Sequence, residues 1–88
     1  LALKNNLLYV VEVKMVRENL KKARINAGLT QNQIAEKLDI GLRYYQMIEA
    51  GQRNGDFAIW DKLEDIFKIH QRKLREIEEI HHDLIKNQ

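Results

Sequence analysis

Between Thr30 and Gly51 the chain makes two helical stretches with only three residues between them. Thr30-x-x-Gln33 is a capping box. The threonine oxygen takes an orphan amide of the first turn, and the glutamine side chain reaches back to the cap amide. It opens a helix whose Ile34, Ala35 and Leu38 recur at helical spacing. A turn at Asp39, Ile40 and Gly41 follows, and a second helix runs from about Leu42 to Ala50 and stops at Gly51. So short a connection forces the two helices to cross closely. Ala35 falls at the crossing, where a small side chain permits it. Ile34, Leu38, Ile40, Tyr45 and Ile48 then form one buried set, and the second helix is pushed away from the body of the protein.

The rest of the chain must supply that body. Its 88 residues allow one domain with a modest core. There is no proline and no cysteine, and there are four glycines. Strand-rich folds with many turns are disfavoured, and disulfide staples and thiolate metal sites are excluded. Hydrophobic content of 44% against 32% charged residues suits a folded protein. Leu7 to Val11 is the longest apolar run, far too short to cross a bilayer, and it lacks a secretory cleavage pattern. The expected location is the cytoplasm, with no membrane partner. Val16, Leu20, Ala23 and Ala27 predict a first helix ending at Gly28. Asp56 caps a fourth helix with Phe57, Trp60, Leu63, Ile66 and Phe67 inward. A last helix is expected from about Gln71 to Ile85.

Residues 1–14 differ from the rest. Leu8, Val10, Val11 and Val13 favour a short extended arm or edge strand. Val11-Glu12-Val13-Lys14-Met15 is also what a bacterial ribosome-binding sequence and start codon would encode in frame. On that reading residues 1–14 are an upstream extension and Met15 is the natural start. The chain therefore divides into an extension or arm (1–14), a helical domain (15–69) and a C-terminal helix (70–88).

At 100° per residue, Tyr45, Ile48 and Glu49 share one side of the third helix. Arg43, Gln46, Met47 and Ala50 share the other, with Leu42 and Tyr44 on the flanks. Arginine matches the O6/N7 edge of guanine, glutamine matches adenine, and methionine can touch a thymine methyl. Net charge is only +2, but Arg17, Lys21, Lys22, Arg24, Lys37, Arg43 and Arg53 all lie in the first two thirds. A local basic surface matters more for nucleic acid than the total.

Several pieces, in order and spacing, resemble the Cro and lambda-repressor (XRE-like) helix-turn-helix family over roughly residues 16–69. They are Leu20…Ala23-Arg24, Gly28-Leu29-Thr30-Gln31, Ile34-Ala35-Glu36-Lys37-Leu38, Ile48-Glu49-Ala50-Gly51 and the helix through Trp60 and Leu63. Asp39 stands where the family usually has a glycine, Gly41 where it has a serine or threonine cap, and Gly55 where proline is common. The resemblance implies an all-α, five-helix lambda-repressor-like DNA-binding domain, with a short extended N-terminal arm beside it. It implies double-stranded DNA as partner, with Leu42, Arg43, Tyr44, Gln46 and Met47 at the bases and flanks, and Gln31 and Arg53 at phosphates. It further implies a structural ion pair between Arg24 and Glu49.

Leu74, Ile77, His81 and Leu84 follow 3,4,3 spacing, which on a helix gives either a stripe against the protein's own core or a homodimer seam. A seam is preferred, because one recognition helix reads few base pairs. His81 and His82 diverge by about 100° on a helix, and no further ligand is spaced to join them, so no metal is expected. No nucleophile motif or acid–base set points to an enzyme or a cofactor. The expected function is a prokaryotic or phage-type repressor binding a palindromic operator as a dimer. The alternative is an antitoxin that also covers a toxin partner.

Overall fold

In the computed structural model the backbone is described for residues 2–4 and 7–87, and the side chains for residues 14–80. The chain order is β1 (Ala2–Lys4), β2 (Leu7–Val16), α1 (Glu18–Asn26), α2 (Gln31–Leu38), α3 (Leu42–Glu49), α4 (Phe57–Phe67), α5 (Gln71–Arg75) and β3 (Glu78–Asn87). Five helices form the body, as expected. The extended N-terminal segment joins β3 in an antiparallel sheet of order β1-β2-β3. No helix among the described residues is long and apolar enough to cross a membrane.

The helix ends follow local chemistry. After α1, Gly28 adopts φ +71°. Its amide reaches Ile25 O (2.9 Å) and the Leu29 amide reaches Arg24 O (3.1 Å), the doubly bonded stop that a left-handed glycine permits. Before α2, Thr30 and Gln33 exchange the two bonds of the capping box, at 3.1 and 2.8 Å. Asp39 ends α2 in the left-handed region at φ 56°. The Asp56 carboxylate caps α4 by accepting from the Ile59 amide at 2.9 Å.

The core is one cluster. Ile34, Ala35 and Leu38 of α2 meet Tyr45 and Ile48 of α3 over Leu20, Trp60, Leu63 and Leu74. Leu29, Ile40, Ile66 and Phe67 pack against it, partly buried. Each large apolar side chain fully withdrawn from water contributes about 1.5–3 kcal/mol.

Three sequence expectations need correction. The first helix begins at Glu18, not Val16; Val16 closes β2 and Arg17 is the cap position. Phe57 is 80% exposed, and Ile59 is the buried residue of that turn. Position 57 is the first residue of α4, at the rim of a shallow surface hollow that Gly55, Trp60 and Arg75 also line. The last helix stops at Arg75, ten residues short of Ile85. There Glu76 turns extended (ψ 134°), and residues 78–87 become β3. The cause is a distant partner: β3 pairs residue for residue with β2, from Val16↔Glu78 to Leu7↔Asn87. A ladder of that length satisfies the backbone without a helix.

Candidate nucleic-acid interface

Glu49 is the buried centre of the site, 3% exposed at the end of α3. Arg24 of α1 grips it with Nε to Oε2 at 2.8 Å and Nη2 to Oε1 at 3.0 Å, while Nη1 donates to Leu29 O at 3.0 Å. The Tyr45 hydroxyl donates to Oε2 at 2.6 Å. Two planar forks meeting in this way give a charge-assisted pair with fixed geometry. The environment acts on both partners of the carboxylate. Burial, and then the bond to Glu49, push the Tyr45 hydroxyl's pKa well above its usual value. The bond to Glu49 outweighs desolvation and raises that of Arg24.

From this centre a string of bonds runs outward. Gln31 Nε2 donates to Glu49 Oε1 at 3.4 Å, a long contact. Gln46 Nε2 then donates to Gln31 Oε1 at 3.2 Å. Gln46 is exposed on α3, so an exposed side chain is tied through Gln31 to the buried charge. Val16, Lys21 and Ala50 complete a shallow cleft around these residues.

Arg43 is exposed on the same helix, Met47 is half-buried, and Leu42 and Tyr44 flank them, each partly exposed. The exposed side of α3 thus carries an arginine, a glutamine, a methionine and a tyrosine. Arg53 sits just past the helix with an exposed side chain. Sequence reasoning singled out Gln31 and Gln46 separately; the bond between them shows only in three dimensions. It counted Arg17 only among the basic residues of the first two thirds, yet Arg17 is buried; a charged residue before a helix normally faces water.

The four residues of the expected dimer stripe are scattered. Leu74 is 0% exposed inside its own protomer's core. Ile77 lies in the extended link, over Gly51. His81 and Leu84 fall on β3, and their side chains lie outside the described residues. The helical seam is not formed, because α5 ends before it.

Two short helices joined by a three-residue turn, the second presenting a polar side to solvent, make a helix-turn-helix. Residues 20–70 match the helix-turn-helix family, and the chain belongs to it, in its XRE-like branch. The chain is 41% identical over 49 residues to YqaF of Bacillus subtilis (strain 168), an uncharacterised HTH-type transcriptional regulator. That match takes in 56% of this chain and 64% of YqaF, so the chain spans less than two thirds of that relative. The crystal structure of the restriction-modification controller protein C.AhdI from Aeromonas hydrophila is similar, with a TM-score of 0.58 and 29% identity. The similarity covers 66% of this chain and 88% of that one.

Proposed function

We propose that this chain is a cytoplasmic transcriptional regulator that reads double-stranded DNA with α3 and represses from a palindromic operator as a homodimer. The observation that carries the reading is the bonded string Arg24–Glu49–Gln31–Gln46, which holds an exposed glutamine in one pose from inside the core. A side chain held in advance loses little freedom on binding. Gln46 keeps its Oε1 and second N–H for the N6/N7 edge of adenine, while Arg43 suits O6/N7 of guanine and Met47 a thymine methyl. Gln31, beside the amides of the first turn of α2, and Arg53 meet phosphates and set the register. One short helix reads few base pairs, so two copies on half-sites roughly 34 Å apart supply the remaining specificity.

Selection of bound duplexes from a random pool tests this reading. A palindrome is expected. In a mobility shift at fixed salt, R43A and Q46A should each weaken binding to the selected duplex by about 1–3 kcal/mol and relax one base position. Recovery of no shared sequence, or undiminished binding by both variants, overturns the assignment.

A further inference from the structure

Arg17 is 3% exposed and takes no part in the string of bonds just described. Its partners are not carboxylates. Nε donates to Arg75 O at 3.1 Å, and Nη1 donates to Ile48 O at 2.5 Å and to Arg53 O at 2.9 Å. Its guanidinium carbon lies 5.0 Å from the centre of the Trp60 ring, within cation–π range. Its main-chain amide donates to Glu49 O at 2.9 Å. Burial, followed by the neighbouring charge of Arg75, pushes its pKa down. A cation kept in so unfavourable a place is compensated by carbonyls, one at the negative end of α3 and one at that of α5.

Three separate segments are therefore held by one side chain. Ile48 O belongs to the last turn of α3, Arg53 O to the loop behind it, and Arg75 O to the end of α5. The same loop is held a second time, one residue later, by Trp60 Nε1 donating to Asn54 O at 2.7 Å. Gly55 allows that approach: it sits at φ +71°, and a Cβ there would lie 3.1 Å from Trp60 Nε1. The front of α3 is fixed by its short turn from α2. The rear end of the helix is held on one side by Arg24 through Glu49, and on the other by Arg17 through Ile48 O; the other bonds of Arg17 reach the loop and α5.

We propose that Arg17 is a positioning residue for DNA reading: it sets the angle of α3 and the placement of Arg53 by tying both to the end of α5. The proposal rests on the DNA-binding reading above. Lysine cannot replace the planar fork, because one ammonium does not span three carbonyls on fixed lines.

The test uses the full chain, the duplex recovered by selection, and a scrambled duplex, each titrated from 50 to 200 mM salt. R17K should keep a cooperative melt yet bind the selected duplex about tenfold more weakly, with a smaller loss on the scrambled one, that of the Arg53 phosphate contact alone. Its salt slope on the selected duplex should fall by about 1, as when one phosphate contact is lost. R53A alone should lose the same slope, and R53A added to R17K should cost nothing more. A purely structural Arg17 would lower the melting temperature but leave the specificity ratio and slope of the folded protein as in wild type. That result, or an R53A effect of equal size in both backgrounds, overturns the proposal. If R17K does not melt cooperatively, R53A in the wild-type background decides: Arg53 is exposed, so the fold is kept, and an unchanged salt slope overturns the proposal. Failure of the underlying reading looks different, because then wild type itself selects no duplex.

Discussion

A carboxylate withdrawn from water at the end of a helix faces both desolvation and the negative pole of that helix. Glu49 tolerates this because Arg24, Tyr45 and Gln31 all donate to it. Tyr45 is the donor whose proton can be lost. Its folded pKa is raised, so at high pH the unfolded chain releases the proton while the native one keeps it. The stability Tyr45 contributes is therefore complete below the ordinary tyrosine pKa of about 10 and declines as pH rises beyond it. Y45F should cost about 1.5–3 kcal/mol near pH 8, the usual range for a hydrogen bond to a charged group. The gap between wild type and Y45F should then shrink by about 1.4 kcal/mol per pH unit above about pH 10. Urea denaturation at pH 8, 10 and 11 measures it; a constant gap would show that the Tyr45 hydroxyl is not protected by the fold. At this scale Arg24 and Glu49 could be singled out from resemblance, since both lie inward on their helices. The part of Gln31 could not, because it depends on a long contact between side chains 18 residues apart.

The elements were readable wherever their signals were local. Thr30 and Gln33, Asp56 before α4, and Gly28 after α1 mark helix ends through contacts within a few residues, which spacing alone displays. The Gly41 cap of α3 is the weak one. It holds φ −70° and ψ 150° and gives no side-chain bond to the first turn. Nothing lies within 4 Å of where a Cβ would stand, and this backbone suits any residue. Gly41→Ser should therefore stabilise the protein by a few tenths of a kcal/mol, the usual difference between these caps. Thermal melts of the two proteins check this; a lower melting temperature would mean that the added hydroxyl meets an obstacle. The segment after Arg75 escaped the same reasoning. Its 3,4,3 spacing fits a helix, but residues 78–87 pair with β2 instead. Its β2 partner lies some 60 to 80 residues earlier in sequence, and local periodicity carries no trace of such a pairing.

For the molecule as a whole, the proposed pairing of two copies needs a surface, and Leu74 is not free to supply it. It was expected at a seam between subunits, yet it is fully buried against the protomer's own helices. The two roles give different dependences on concentration. A seam residue weakens association, so its loss shifts the melting temperature with protein concentration. A core residue leaves a cavity inside each copy, and its loss is the same at every concentration. Leu74→Ala should cost about 2–5 kcal/mol. That corresponds to a fall of at least about 8 °C, at roughly 4–8 °C per kcal/mol for a domain of this size. The fall should be equal at micromolar and hundredfold higher protein. A fall that concentration reverses would return Leu74 to the interface. A concentration-independent fall leaves subunit pairing to surfaces outside α5. The remaining described residue of the stripe, Ile77, is half-exposed beside Gly51 at the rear of α3, so a partner seated there would press on the helix proposed to read DNA.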